Sequence, residues 1–132
     1  MMVEIKGMRE LKKAFQDMAK QAEKNQEIAL KLTANEYKND VQVIAPYDTG
    51  TLRRSIHVEP VSGIIRDGQN RAYVVVGTDL PYARRLEYGF VGPDKRGRTF
   101  HQTPRPYFRP PLDQNFKKYQ DIYLAAMGRG LV

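Results

Sequence analysis

The chain contains no cysteine in its 132 residues. This absence excludes disulfide frameworks, thiolate zinc sites and thiol catalysis together. It also fits the reducing interior of a cell, where structural disulfides are rare. Serine occurs only at Ser55 and Ser62, and neither residue lies in the glycine-flanked turn that exposes a serine nucleophile. Because phosphate-binding and dinucleotide-binding glycine motifs are also missing, we expect no cofactor and no enzymatic activity.

Long apolar runs are equally absent. The longest strongly apolar stretch covers residues 72–76, which is far too short to span a bilayer. The first residues lack the basic-then-apolar order of a signal peptide. With 41% hydrophobic and 28% charged residues, the composition is that of a globular protein. We therefore expect one domain over residues 1–132 with no membrane partner.

Positive charge is the main excess in the composition. The 22 lysines and arginines outnumber the 15 acidic residues, which gives a formal charge of +7. Residues 46–112 hold 11 of the basic residues against 6 acidic ones. The densest basic region comprises Arg84, Arg85, Lys95, Arg96, Arg98, Arg105 and Arg109. Such a region either contacts a polyanion such as DNA or faces a protein partner, and the sequence leaves both readings open.

The N-terminal third predicts a long amphipathic helix over residues 8–45. Its apolar side is carried at three- and four-residue spacing by Met8, Leu11, Phe15, Met18 and Ala22. The pattern weakens at Asn25 and then resumes. A straight helix of this length would extend about 57 Å, whereas a globule of this size is roughly 36 Å across. The helix must therefore break near Asn25 or project from its domain, and a projecting apolar face requires an oligomer to cover it.

The remaining segments predict short strands and two further helices. Residues 55–59 alternate as in a strand, and residues 64–76 indicate a hairpin that turns at 67–70. Residues 80–89 favour a short helix with Tyr82, Leu86 and Tyr88 packed inward. Residues 92–99 are expected to form an exposed loop, and 105–111 an extended segment. A last helix over 111–127 should bury Leu112, Phe116, Tyr119 or Ile122, and Tyr123.

These elements indicate an α+β fold. We expect a small antiparallel sheet packed against a long N-terminal helix and a C-terminal helix.

Two motifs contain residue types found in catalytic or metal sites. Asp48-Thr49-Gly50 matches the Asp-Thr-Gly of aspartic proteases, but it follows a helix stop rather than an apolar strand. The neighbouring Arg53 and Arg54 would also favour the charged carboxylate and oppose the sharing of a proton. The two histidines, His57 and His101, lack helical metal-site spacing and an accompanying carboxylate cluster. We therefore expect no catalytic residue and no metal site.

Four segments carry a family resemblance. The first is Ile5-Lys6-Gly7-Met8-Arg9-Glu10-Leu11, and the second is Ala45-Pro46-Tyr47-Asp48-Thr49-Gly50-Thr51-Leu52-Arg53-Arg54-Ser55-Ile56. The third consists of three short blocks, Val76-Gly77-Thr78, Pro81-Tyr82-Ala83 and Leu86-Glu87-Tyr88-Gly89. The fourth is Arg105-Pro106-Tyr107-Phe108-Arg109-Pro110-Pro111-Leu112. Their order and spacing resemble the neck or tail-completion family of long-tailed bacteriophages, typified by the gene-ten product of an HK-type lambdoid phage. Phe90, where many relatives have threonine, and the basic insert in residues 91–103 depart from the pattern.

The resemblance implies a structural virion protein of the neck that completes the tail and joins it to the DNA-filled head. Such proteins form rings, expected here to be sixfold, between head-completion and tail-terminator or tail-tube proteins, with DNA in the channel. The expected location is the head–tail junction, or the host cytoplasm during assembly. Two alternatives stay open: a tail-terminator ring, and a basic nucleic-acid-binding protein that uses residues 84–109.

The resemblance also assigns provisional roles to individual residues. Asp48, Thr49 and Gly50 become a structural turn from helix to sheet. The candidate residues facing a neighbouring subunit or DNA are Arg53, Arg54, Arg84, Arg85, Lys95, Arg96, Arg98, Arg105 and Arg109.

Overall fold

The computed structural model describes residues 7–46, 50–69, 71–93 and 95–129. The order of elements is α1 (Met8–Ile44), α2 (Thr51–Ser55), β1 (His57–Glu59), β2 (Ile65–Arg66), β3 (Ala72–Tyr73), β4 (Val75–Gly77), α3 (Ala83–Tyr88), β5 (Phe90–Pro93), β6 (Thr99–Gln102) and α4 (Arg109–Met127). The predicted α+β class, with a long first helix and a C-terminal helix, is confirmed. Across the described ranges the strands form three antiparallel pairs, β1–β4, β2–β3 and β5–β6, instead of one sheet.

The helix α1 does not break at Asn25. It continues for 37 residues and is therefore about 55 Å long. Asn25 is buried against the end of α4, where its side-chain amide donates to the carbonyl oxygen of Met127 at 3.0 Å and to that of Arg129. The last carbonyl groups of a helix have no partner within it. The polar residue that weakens the apolar pattern of α1 thus caps α4.

The second half of α1 pairs with α4 in antiparallel orientation. The rings of Tyr37 and Tyr119 meet edge to face with their centroids 5.6 Å apart. On the outside of this contact, the Lys118 ammonium lies 2.8 Å from a carboxylate oxygen of Glu36 and 3.1 Å from one of Asp40. Exposed ion pairs of this kind contribute little stability, so apolar packing and the tyrosine contacts hold the two helices together.

The first turns of α1 extend beyond α4. Every residue from 7 to 20 is exposed, whereas Asn25, Ala29, Ala34 and Val41 are buried. We call residues 8–20 the arm, and at the helical rise it extends roughly 20 Å. Of the two alternatives that the sequence left open, a break or a projection, the structure has the projection.

The core lies at the other end of α1. It consists of Val41, Ala45, Leu52, Ile56, Ala83 and Tyr107. The short helix α2 turns the chain back over α1, and β1 then pairs with β4 in a register that places Val58 opposite Val76. The core therefore joins both ends of the motif-rich segment between residues 45 and 107.

Several aromatic and apolar side chains lie where the sequence pattern did not place them. Leu112 and Phe116 were expected on the buried side of the last helix, but they are 42% and 64% exposed. Tyr82 and Tyr88 are also exposed, while Tyr119 is buried. The reason is that α4 meets α1 through Tyr119 and leaves its adjacent apolar face uncovered. Periodicity identifies an apolar face but does not say whether the same chain covers it.

The segment expected to be an exposed loop, residues 92–99, belongs in part to a hairpin. β5 and β6 pair in a register that places Phe90 opposite Gln102 and Pro93 opposite Thr99. The glycine, proline and charges that indicated a loop lie in and beside its turn. Phe90 packs under α3, where the Arg85 guanidinium lies 3.9 Å from the centre of its ring. The last helix also begins earlier than predicted, at Arg109.

Candidate assembly surface

The arm carries an apolar stripe that the chain itself leaves uncovered. Met8, Leu11, Phe15 and Met18 are each about half exposed, and Phe15 reaches 61%. Lys12, Gln16 and Ala19 lie beside them and complete a shallow groove. Contiguous apolar surface of this kind marks a site of protein contact in a soluble protein. The arm is therefore the first candidate surface for assembly.

A second apolar surface is concave. It lies between α1, α4 and the chain around β4, and it encloses about 350 Å³. Its lining residues are Leu30, Thr33, Ala34, Tyr37, Val74, Val76, Leu112, Phe116 and Tyr119. The exposed Leu112 and Phe116 of α4 form one wall of this depression, which we call the α1–α4 groove. The sequence pattern missed it because it predicted both side chains to be buried.

Glu87 connects two of the motifs that carry the family resemblance. Its buried carboxylate accepts hydrogen bonds from the backbone N–H groups of Tyr107 at 2.7 Å, Phe108 at 3.0 Å and Arg109 at 3.2 Å. These N–H groups lie at the start of α4, where the first N–H groups of a helix have no partner within it. A carboxylate there also interacts favourably with the helix dipole. The Leu-Glu-Tyr-Gly block therefore caps the helix that begins in the Pro-Tyr-Phe-Arg-Pro block.

Two tyrosines complete this junction as hydrogen-bond donors. The Tyr107 hydroxyl donates to the carbonyl oxygen of Ala83 at 2.9 Å, and the Tyr37 hydroxyl donates to that of Phe108 at 2.5 Å. Burial raises the pKa of both tyrosines to about 12, and the negative charge of Glu87 acts in the same direction. Both hydroxyls therefore stay protonated at neutral pH, and the junction holds the start of α4 on α1 and α3.

The basic residues of the 84–109 region lie in two places. Arg84 and Arg85 belong to α3, and the backbone N–H of Arg105 donates to the Leu86 carbonyl oxygen at 2.7 Å. Arg109 lies at the start of α4 and pairs with Asp113 at 3.4 Å. Lys95, Arg96 and Arg98 instead lie at the turn of the β5–β6 hairpin, about 10 Å or more along its strands from α3. All seven side chains are exposed. Their contact with DNA or a neighbouring subunit stays a prediction.

Arg53 and Arg54 line a separate shallow groove between α1 and α2. Arg53 is half-buried, and its guanidinium donates to the carbonyl oxygens of Ala45 at 3.0 Å and Val43 at 3.4 Å. The last turn of α1 contains no basic residue of its own. Arg53 therefore supplies, from the next helix, the positive charge that favours a helix C-terminus. The adjacent Arg54 is exposed.

Of the predicted structural turn, only Gly50 can be placed, since Asp48 and Thr49 lie outside the described residues. Gly50 is the N-cap residue of α2, with a φ of +81°. This left-handed conformation favours glycine over other residues. The change of direction between α1 and α2 therefore rests at least in part on this glycine.

We expect Arg53→Met to lower the free energy of unfolding by about 1 kcal/mol, because it leaves the last carbonyl groups of α1 without their donor. Methionine keeps most of the aliphatic packing, so the change isolates the guanidinium. Arg54→Met is the matched control and should change stability by less than about 0.5 kcal/mol. Urea unfolding followed by circular dichroism measures both, and equal effects of the two variants would contradict the assignment.

His57 has acidic neighbours that the sequence analysis did not expect. Its ring nitrogens contact the Ser55 carbonyl oxygen at 2.8 Å and a carboxylate oxygen of Glu59 at 2.7 Å, and Asp79 lies 3.9 Å away. The expectation that no carboxylates accompany this histidine was wrong, because the β1–β4 pairing brings Asp79 beside it. These hydrogen bonds raise the pKa of His57, with the Ser55 carbonyl making the larger contribution. Both ring nitrogens have protein partners, and we assign no metal to this exposed cluster.

Comparison with known proteins gives one match. The sequence model of the family described as "Bacteriophage HK97-gp10, putative tail-component" matches residues 9–89, which is more than half of the chain. The matched range covers the elements from α1 to α3 and ends at Gly89, before the β5–β6 hairpin and α4. No curated protein and no solved structure matches. No helix in the described ranges is long and apolar enough to cross a membrane.

Proposed function

Because this chain belongs to the HK97-gp10-like family of bacteriophage tail components, we propose that it is a structural virion protein that completes the tail and joins it to the DNA-filled head. In this proposal the protein works as part of a sixfold ring at the head–tail junction. Its neighbours are the head-completion protein on one side and a tail-terminator or tail-tube protein on the other. It performs no catalysis in this role.

The uncovered arm is the observation that carries this proposal. Four long apolar side chains on one side of a projecting helix are about half exposed. Covering the exposed half of each side chain would stabilise an assembly by about 1 kcal/mol per residue. A monomeric protein has no need of such a surface, whereas a subunit of an assembly has. The arm therefore favours a role in assembly.

The exposed basic hairpin turn fits the same role. Lys95, Arg96 and Arg98 lie at the tip of a two-stranded projection, far along the chain from the arm. In a ring, this tip would meet either the acidic surface of an adjacent ring or the DNA in the channel. Both partners are negatively charged, so the charge of the tip fits each of them.

Electron microscopy of virions tests this proposal. Phage that lack the protein should accumulate separate heads and tails, and the wild-type chain supplied in trans should restore joined particles. A compact tag at Val61, which is almost fully exposed, should then appear as a ring of density at the head–tail junction. Joined particles in the absence of the protein, or a tag located elsewhere in the virion, would contradict the proposal.

Electron microscopy of isolated tails tests the tail-terminator alternative, and DNA retention tests the nucleic-acid-binding alternative. A tail-terminator ring would be present at the end of isolated tails before any head is added. A nucleic-acid-binding role instead predicts salt-dependent retention of duplex DNA by the purified protein, because phosphate contacts displace counterions. A variant with Lys95→Glu and Arg98→Glu should then weaken that retention.

A further inference from the structure

A single line of residues runs along one side of α1 from the arm to the α1–α4 groove. Steps of three or four residues join its members, so they lie on one face of the helix. The line consists of Met8, Leu11, Phe15, Ala19, Ala22, Gln26, Leu30 and Thr33. Six of these eight residues are apolar, and each one is exposed or partly exposed. We call this line the α1 ridge.

The spacing of the ridge is the same in both directions. Its steps are three, four, four, three, four, four and three residues, and this series is unchanged when it is reversed. Two copies of α1 that pair in antiparallel orientation about a midpoint between Ala19 and Ala22 therefore match at every ridge position. Leu11 lies opposite Leu30 of the second copy, and Met8 lies opposite its Thr33. The end of each arm thus reaches the α1–α4 groove of the other copy.

The centre of the ridge permits close approach. Ala19 lies opposite Ala22 in this register, so the two helices meet through small side chains at the midpoint. The larger Phe15 lies one helical turn farther out, opposite Gln26 of the second copy, whose side-chain oxygen accepts from the Arg66 guanidinium of its own chain at 3.1 Å. Small central residues with larger flanking ones allow two helix axes to approach without steric overlap.

Charges along one flank of the ridge agree with the same orientation. Lys12 and Lys20 precede the midpoint on this flank, whereas Glu23 and Glu27 follow it. In antiparallel pairing, Lys12 lies beside Glu27 of the second copy, offset by no more than two residues along the helix axis. Lys20 lies beside its Glu23 with an offset in the same range. Parallel pairing would instead put this flank of the two copies on opposite sides of the contact, so these lysines and glutamates would not meet. Lys31 lies on this flank too, but its ammonium donates to the carbonyl oxygen of Pro60 on its own chain.

We propose that two free copies of this protein pair through their α1 ridges in antiparallel orientation and form a two-fold dimer. The inference goes beyond the proposed function and does not depend on the head–tail location. A two-fold contact closes on itself and recruits no third copy, whereas a ring requires head-to-tail contacts. The dimer therefore covers the arms before assembly, and entry into a ring requires the two copies to separate.

Sedimentation of the purified full chain tests the dimer. The wild type should be dimeric at micromolar concentration, and Leu11→Glu should raise the dissociation constant at least about tenfold, because it places a charge against Leu30 in the apolar α1–α4 groove of the second copy. Val61→Glu is the matched control, since Val61 is 94% exposed and lies off the ridge. Circular dichroism should show unchanged helix content in both variants.

Charge exchange tests the orientation. Lys12→Glu should weaken the dimer because it faces Glu27 of the second copy, and Glu27→Lys should weaken it by a similar factor. The double variant that carries both changes should recover wild-type affinity. Recovery by the double variant is specific to the antiparallel register, and a loss equal to the product of the two single effects would overturn it.

Cysteine cross-linking tests the register. Because the natural chain contains no cysteine, only introduced thiols can react. The variant with Ala19→Cys and Ala22→Cys should form a disulfide-linked dimer under mild oxidation. Asp17→Cys with Lys24→Cys is the matched control. In this register the two positions are level with each other along the helix axis, but they lie on the side of α1 that points away from the second copy. Equal cross-linking of the two variants would overturn the proposal.

The outcomes for the dimer and for the proposed function are separate. A wild-type protein that stays monomeric at about 100 μM, or an unchanged dimer with Leu11→Glu, would overturn the dimer. Neither result would move the protein from the head–tail junction in virions. Conversely, a confirmed dimer of the free protein would stand even if virions showed the protein elsewhere.

Discussion

Replacement of Glu87 by alanine is expected to lower the free energy of unfolding by about 2–4 kcal/mol. The substitution removes the acceptor of three backbone N–H groups, those of Tyr107, Phe108 and Arg109. The N–H of Tyr107 belongs to a fully buried residue, so water would not readily replace the carboxylate. The loss also removes a negative charge from the positive end of the α4 dipole. Urea unfolding followed by circular dichroism measures the effect.

Two further substitutions separate the contributions within this site. Glu87→Gln keeps an oxygen that can replace Oε2 and accept from Tyr107 and Phe108, but its NH₂ group would face the N–H of Arg109. We therefore expect a loss between those of the wild type and the alanine variant. Asp113→Ala removes an exposed carboxylate from α4, the helix that Glu87 caps, and should cost less than about 0.5 kcal/mol. An alanine variant at Glu87 as stable as this control would show that the cap contributes nothing.

Replacement of Gly89 by alanine is expected to cost about 3 kcal/mol, for two reasons that add. The backbone has a φ of +77°, a conformation that residues with a side chain rarely adopt. In addition, the new Cβ would lie 2.8 Å from the carbonyl oxygen of Gln102 and 3.0 Å from Cδ of Pro104. Because the first of these neighbours is backbone, the β5–β6 hairpin itself would have to shift away from α3.

A second glycine gives the cost of a positive φ without a close neighbour. Gly63 has a similar φ of +75°, but a Cβ added there would meet nothing within 4 Å. Gly63→Ala should therefore cost only the backbone strain, about 1 kcal/mol. Hydrogen exchange should show faster opening of the β5–β6 amides in the Gly89 variant and no such change in the Gly63 variant. Equal stability of the two variants would mean that the close contact with Gln102 has no energetic consequence.

These two positions connect residues 86–89 to later segments of this chain. Glu87 and Gly89 belong to the Leu-Glu-Tyr-Gly block, and each acts on a segment at least 13 residues further along the chain. Glu87 caps α4, and Gly89 allows Gln102 and Pro104, which precede α4, to pass close to its backbone. The sequence identified the block by resemblance, and the family match over residues 9–89 confirmed that resemblance. The sequence alone did not indicate that the glutamate would be buried.

Local pattern accounted for most of the elements. The three- and four-residue apolar spacing predicted α1 and α4, and turn residues predicted the β2–β3 hairpin. It left open a break at Asn25, which α1 does not have, and it missed the β5–β6 hairpin. Asn25 lowers the apolar periodicity of α1 because it serves α4, and the β5–β6 strands are held by pairing with each other across a charged turn. The contact of Asn25 spans 102 residues, which a local pattern does not report, whereas the glycine, proline and charges of the hairpin are typical of a loop.

The sequence by itself determined the α+β class, the long amphipathic first helix, the excess of positive charge in residues 46–112 and the family. These properties depend on residue type and short-range spacing, which are complete in the sequence. Tertiary structure decided which apolar faces are covered: the second half of α1 packs on α4, while the arm and the α1–α4 groove stay open. It also divided the basic residues between the hairpin turn, α3 and the cap of α1. Burial is a property of pairs of elements, so only their packing could separate the core of this chain from its surface for assembly.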